Sequence, residues 1–306
     1  MVIAQTNLTL PRKNINKCIS FDIKQISDFS KPEIPLFSEE QDIFPPSDEG
    51  LYVEESVYWD MYYEDDFYKY EWNNGILEVK EMPTILSGFY ARFFVNLIEQ
   101  FFSVNPVGDL IITDIGFTIL TPDKKIIRRP DFAIILKSNP VQPALSDRSY
   151  KGIYDICIEF LSDSKKKYVT KDTVNKKQEY SDASVKEYYI IDANKTYTAF
   201  YRLQNNGIYE SIPLDNGIMR STVMQGFQFR VNDIYECPDF KTLINDDIYK
   251  DYILLDYQKQ CKKAEEERKA KELALKEVEK ERTAKEQALK ELAQLKLLIK
   301  KMGQTE

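Results

Sequence analysis

Three short runs of almost unbroken apolar residues constrain this chain more than anything else in it: Phe132–Leu136, Ile153–Leu161 and Tyr188–Asp192. Runs of that length without alternation are typical of strands buried on both faces. The middle run contains Ile156-Cys157-Ile158-Glu159-Phe160-Leu161, with a single acid. A carboxylate inside such a strand is costly unless a partner or a cation meets it. Pro130-Asp131 opens the first run and sets a second acid at the mouth of its strand. After Glu159 a Lys-rich polar loop leads to a helical segment from about Asp172 to Asp182. In it Asp172, Lys176 and Tyr180 recur at four-residue spacing and share one face.

The flanking segments fill in a fold. Tyr68–Trp72 and Ile76–Lys80 enclose Asn73-Asn74-Gly75, a hairpin signal in which Asn-Gly supplies the positive φ values of a tight turn. Pro83 breaks the second strand. Phe89, Phe93, Phe94, Leu97, Ile98, Phe101 and Phe102 then recur at helical spacing, with Ser87 as the expected N-cap. Asp109–Asp114, Phe117–Leu120 and Ile126-Ile127 read as short strands. Tyr197–Leu203 and Ile208–Ile212 make a second hairpin around Asn205-Asn206-Gly207, and Gly226–Val231 offers one more strand. Strands joined by helices, with hairpins at the flanks, predict an α/β fold: a mixed sheet flanked by helices.

Three regions are expected. Residues 1–50, with Pro11, Pro32, Pro35, Pro45 and Pro46, read as an irregular arm, and 51–245 as the folded domain. Residues 246–306 read as a C-terminal helix without proline, ended by Gly303. Within that helix Lys271–Glu277 recurs as Lys285–Glu291, two heptads on. A seam of Ala274, Glu281, Ala288, Leu295 and Met302 with Val278, Lys285, Leu292 and Ile299 is apolar chiefly from Ala288 onward. A coiled-coil homodimer is the expectation; a single solvated helix, or an antiparallel or partner-specific pairing, are its alternatives.

Composition narrows the chemistry. There is no histidine among the 306 residues, which removes His general bases, Ser-His-Asp triads and His-ligated zinc or haem. The cysteines Cys18, Cys157, Cys237 and Cys261 show no CxxC spacing, which suits a reduced, cytoplasmic setting better than a disulfide framework or zinc. No apolar run approaches the ~18 residues of a membrane span, and no membrane partner is expected. The net charge of −8 argues against a protein that simply coats nucleic acid. Lys262–Lys301 carries 13 basic and 9 acidic residues, so the remainder is more acidic still. Tyr52 to Trp72 is rich in aromatics that could stack bases, but the interleaved carboxylates would repel phosphates, and a packing role is preferred.

A carboxylate on each of two buried strands, followed by a lysine on the next helix, suits metal-dependent phosphodiester chemistry. Convergent acids repel each other and a divalent cation relieves that repulsion. Mg²⁺ (or Mn²⁺) is held by one or two carboxylates while keeping waters and phosphate oxygens. It can activate water and polarise a phosphoryl group, with a nearby lysine orienting the water or stabilising charge. The same residues admit a structural reading, in which Asp172 pairs with Lys176, Tyr180 packs, and Asp131 starts a strand through Pro-Asp turn chemistry. Glu159 resists that reading most, because nothing local neutralises it.

Residues from about Tyr68 to Leu203 resemble the Uma2 family of restriction-endonuclease-like proteins. The resemblance rests on Tyr70-Glu71-Trp72-Asn73-Asn74-Gly75 and the helix after it, and on Arg129-Pro130-Asp131-Phe132-Ala133. It continues through Ile158-Glu159-Phe160-Leu161-Ser162, Asp172-x-x-x-Lys176-x-x-x-Tyr180 and Lys186-Glu187-Tyr188-Tyr189-Ile190-Ile191-Asp192. It implies the PD-(D/E)xK nuclease fold and Mg²⁺-dependent cleavage of nucleic acid, DNA foremost. Asp131 and Glu159 would be the metal ligands and Lys176 the catalytic lysine, because Leu161 occupies the position where such nucleases usually carry it. The family's early acid falls on Glu71 or Glu78, with Glu99 a weaker candidate. Ser87 and Ser181 stand where many relatives have histidine and alanine. A catalytically inactive nuclease-fold protein, working through its C-terminal helix as an interaction module, is therefore the alternative.

Overall fold

A computed structural model describes residues 45–112, 114–161 and 165–302 of the chain. The chain divides into two units, Met1–Pro45 and Pro46–Glu306, and every described helix and strand belongs to the second. The irregular arm expected at residues 1–50 falls almost wholly outside the described residues, as do Ser162 and Gly303.

The unit opens with a short helix α1 (Glu55–Val57) that runs into a π-helical turn, Tyr58–Tyr62. The expected first hairpin follows as β1 (Tyr70–Asn73) and β2 (Ile76–Val79). Asn74 at φ 50° and Gly75 at φ 99° make the tight turn that the Asn-Gly pair predicts. Helix α2 spans Ile85–Val104 and buries Phe93, Phe94, Leu97, Ile98 and Phe101. It starts earlier than expected: Thr84 is the N-cap, and its side chain accepts a hydrogen bond from the Ser87 amide. Both residue types cap helices, and here Ser87 lies in the first turn and supplies the amide that Thr84 caps.

Strands β3 (Gly108–Ile111), β4 (Phe117–Leu120), β5 (Lys125–Arg128), β6 (Phe132–Leu136) and β7 (Ile156–Leu161) come next. The crossover after β7 consists of α3 (Lys166–Thr170), a π-helical turn Lys171–Lys176 and α4 (Lys177–Asp182), returning to β8 (Glu187–Asp192). The second hairpin is β9 (Ala199–Leu203) with β10 (Tyr209–Ser211). Strand β11 (Ile218–Arg220), which carries too few residues to show a period, pairs with the expected β12 (Gln228–Arg230). Short helices α5 (Val231–Glu236) and α6 (Phe240–Leu243) precede α7, Leu255–Met302.

The architecture is mixed α/β. A six-stranded sheet runs β10-β9-β8-β7-β6-β3, and a four-stranded antiparallel sheet runs β2-β1-β5-β4. Among the described strand pairs only β7–β8 is parallel, which is why a helical crossover joins those two strands. The three apolar runs of the sequence are β6, β7 and β8, with both faces covered as their patterns require. One face (Ile134, Ile156, Ile158, Phe160, Tyr189, Ile191) packs on α2 and on the Phe227, Phe229, Tyr249 and Tyr252 region. The other (Ala133, Ile135, Cys157, Leu161, Tyr188, Ile190) packs on Tyr180 of the crossover and on Phe117, Ile119 and Ile126 of the smaller sheet.

Side chains alternate along a strand, so Glu159 lies on the second face with Cys157 and Leu161. Asp131 falls on that face too, two residues before Ala133. The antiparallel register pairs Phe132 with Ile158. One step further, that register sets Asp131 opposite Glu159, where cross-strand Cβ atoms stand about 4.5–5.5 Å apart.

Candidate functional site

Two like charges directly opposite each other destabilise a sheet pair. The surrounding residues compensate for this. The Asp131 Oδ2 atom accepts a 2.6 Å hydrogen bond from the Phe160 amide, which pins the carboxylate beside β7. Its Oδ1 atom pairs with the Lys80 ammonium at 2.7 Å. Lys80 follows directly on β2, is buried, and also pairs with Asp114, which in turn pairs with Lys69. Burial opposes its charge, but Asp131, Glu159 and Asp114 together hold its pKa above the usual lysine range.

Glu159 Oε1 accepts a 2.8 Å hydrogen bond from the Tyr180 hydroxyl and lies 2.9 Å from the Lys176 ammonium. Burial pushes the Glu159 carboxyl up to about 8; Lys176 opposes the rise, and the charges of Asp131 and Asp172 add to it. Lys176 also lies 3.2 Å from Asp172 Oδ1 and 3.3 Å from Glu71 Oε1. It is buried, yet those three acids keep it well above its ordinary range and hence charged. The π-helical turn makes this possible: its buried residues are Lys171, Asp172 and Lys176. Such turns are frequent at functional sites.

Beneath these groups lies a closed ionic network. Glu71, wholly buried on β1, pairs with Lys171 at 3.0 Å and with Arg128 at 3.3 Å, and accepts a 3.0 Å hydrogen bond from the Arg129 amide. Burial raises its pKa, but Lys171, Lys176, Arg128 and Lys80 outweigh it and hold the carboxyl well below the usual range. Arg128 is wholly buried as well. It donates to Glu179 through Nε (2.6 Å) and Nη2 (2.9 Å), and to Glu78 at 2.5 Å.

The sequence-predicted residues thus separate by position. Asp131, Glu159 and Lys176 come together in the wall of one cavity of about 580 Å³, with Lys80, Asp114, Lys171 and Asp172. Glu71 touches the group from below through Lys171 and Lys176. Glu78 is occupied by Arg128 and Asn73, and Glu99 is exposed on α2; neither lines the cavity. Lys80 and Asp114 were missed by sequence reading. Each follows a short strand with no motif around it, and the partner of Lys80, Asp131, is remote in the chain. Only the oddity of a lysine between an apolar strand and Pro83 signalled it.

The donor set suits a small, hard divalent ion. Its ligating atoms would all be carboxylate oxygens, and the buried Asp172 Oδ1 has no hydrogen-bond partner among the described residues, only its ion pair with Lys176. No group of three or more Asp, Glu, Cys or His side chains is poised to hold a metal among the described residues. Mg²⁺ does not require one, because one or two carboxylates suffice when waters and phosphate complete its shell.

Comparison with known proteins places the chain in a family. No curated protein matches the chain. A solved structure described as "a putative nuclease belonging to DUF820" from Anabaena variabilis ATCC 29413 is similar at 17% identity, over 55% of this chain and 90% of its own, with a TM-score of 0.43. Residues 54–232, more than half of the chain, match the model of the Uma2 family, whose description is "Putative restriction endonuclease". The span contains Asp131, Glu159 and Lys176 together with the lysines and acids around them, and the chain belongs to the Uma2 family.

Proposed function

We propose that this protein is a divalent-metal-dependent nuclease that hydrolyses phosphodiester bonds of nucleic acid, DNA foremost. The observation that carries the reading is the convergence, in one cavity, of two acids opposed across β6 and β7 and a buried lysine 2.9 Å from one of them. Asp131 and Glu159 would hold Mg²⁺ or Mn²⁺. When bound, the ion supplies Lewis-acid polarisation of the phosphoryl group and a more acidic water.

The chain's own residues do the rest. Tyr180 and Lys176 fix the Glu159 carboxylate from one side, and the Phe160 amide fixes Asp131 from the other. Lys176, held charged by Asp172, Glu159 and Glu71, orients the attacking water or meets the charge that grows on the phosphate oxygens. Purified protein incubated with Mg²⁺ or Mn²⁺ should cut DNA or RNA, and cutting should vanish in Asp131→Asn and Glu159→Gln variants that keep the wild-type circular dichroism. Absence of cutting with every substrate, together with absence of calorimetric metal binding, sinks the enzyme reading.

A second reading draws on a specific observation: Asp131 and Glu159 each already have a lysine, Lys80 and Lys176. Acids paired in this way stand without metal, and the protein would then act as an inactive nuclease-fold module through α7. Val278, Leu292 and Leu295 of the expected seam are all exposed along that helix, which supports homodimerisation by a coiled coil. Sedimentation of a chain ending near residue 246 should give a smaller assembly than the full chain, and an unchanged assembly removes the dimer. None of the described helices is long and apolar enough to cross a membrane.

A further inference from the structure

The cavity has two unlike kinds of lining. One is the lysine–carboxylate cluster. The other is apolar: Met82, Ala91, Val95, Ile112, Phe132 and Phe160. Phe132 and Phe160 pack edge to face at 5.5 Å, which makes a firm floor. Met82 and Ile112 keep 77% and 50% of their surface exposed at its rim. Neither ionic pairing nor metal binding gives a reason for large apolar side chains to stand in water beside a charged site.

Along α2 the wall continues outward. Ile85 is 81% exposed, and Phe89 one turn on is exposed as well. Arg92, which lines the cavity, sits over the Phe89 ring at 5.3 Å. An aromatic face paired with a guanidinium is a surface on which bases stack.

A duplex cannot use this arrangement. Its base faces are covered by stacking, and only base edges reach the grooves. At about 580 Å³ the cavity is of the size that takes a small ligand, such as one nucleotide, rather than a helix. We infer that the strand engaged at this site is unpaired: one nucleotide of a single strand, an overhang or an unstacked site lays its base on the apolar lining that includes Phe132, Phe160, Met82 and Ile112 while its phosphodiester meets the lysine–carboxylate cluster. This rests on the nuclease reading for the chemistry at that cluster and adds the substrate class.

Fluorescence anisotropy of the full chain in EDTA tests it, with labelled 15-mer oligothymidylate, the same length of duplex, and a 15-mer abasic tract as probes. Single strand is expected to bind about tenfold tighter than duplex and about tenfold tighter than the abasic tract, the scale of one stacked base. Met82→Ser and Ile112→Ser, both at exposed positions, should erase the difference between oligothymidylate and abasic tract while leaving abasic binding unchanged. Equal affinity for duplex and single strand, equal affinity for thymidylate and abasic tract, or no binding to any probe overturns the inference. Cleavage of duplex in Mg²⁺ without single-strand preference removes this inference and leaves the nuclease reading intact. Single-strand preference without any cleavage does the reverse.

Discussion

Two groups of charges lie against each other here and are built on opposite principles. The lower one, Arg128 with Glu71, Glu78 and Glu179, is saturated: Arg128 is wholly buried and donates to three carboxylates. The upper one, Asp131, Glu159 and Asp172 with Lys80 and Lys176, faces a cavity and keeps unresolved tension. Glu159 is pushed up to about 8, Asp172 is also raised by its burial, and Asp172 Oδ1 has no hydrogen bond among the described residues. The contrast teaches which charges hold the fold and which remain available for chemistry. The lower carboxylates hold a buried guanidinium, whereas the upper ones line the cavity, where a ligand can compete with the lysines for them.

The comparison breaks most visibly in catalysis. Replacing an upper acid by its amide, Asp131→Asn or Glu159→Gln, should lower kcat/KM for nucleic acid by about 10³-fold or more, near 4 kcal/mol in the barrier, with little change in Tm when melting is compared at about pH 5, where the folded Glu159 carboxyl is still protonated. Steady-state cleavage alongside thermal melting checks it. Comparable loss of stability and activity would erase the distinction between the two groups.

The lower group should respond in the opposite way. Arg128→Met leaves Glu179 buried without its main counter-charge and takes one cation from Glu71, and about 3–5 kcal/mol of stability should go with it. Urea unfolding measures this. A loss below about 1 kcal/mol would mean that the network is not what holds the smaller sheet to the crossover.

A pH titration sharpens the contrast further. The folded Glu159 carboxyl titrates near 8 against an ordinary value of 4.5. The raised value means that the folded state retains the proton more tightly than the unfolded chain. Its contribution is therefore full below about 4.5 and is lost as pH rises toward 8. In metal-free protein Tm should fall across that window, and Glu159→Gln should flatten the slope; parallel slopes in variant and wild type would contradict it. The smallest effect belongs to α7, where Leu292→Glu with Leu295→Glu should shift the sedimentation coefficient while leaving Tm of the main unit within about a degree. Exposed surface positions of this kind contribute little to folding.

Much of this was legible in the sequence because it is local. Asn74-Gly75 specifies its turn within four residues, and β6, β7 and β8 declare themselves by unbroken apolar runs. Glu159 stood out because one acid in such a run has no neighbour to neutralise it. The rest depends on distance. Lys80 meets Asp131, and Arg128 meets Glu179, only after the two sheets assemble, and no short-range pattern encodes either pairing. The Asp172, Lys176 and Tyr180 spacing correctly suggested one face, yet the turn carrying it is π-helical, and single-residue propensities do not distinguish that from α.

That π-helical turn has a consequence for how the protein tolerates length changes. It accommodates one residue more than an α-turn would, and Val174 within it is exposed, contributing nothing to the core. Deleting Val174 would remove no buried side chain, and the turn would close to an ordinary α-helix with its flanks left in place. What changes is the spacing inside the turn: Asp172 and Lys176, four residues apart and ion-paired, would stand three apart. The site is thus keyed to a residue count as much as to residue identity, and a silent-looking surface deletion would re-space the cavity wall without disturbing the helices on either side.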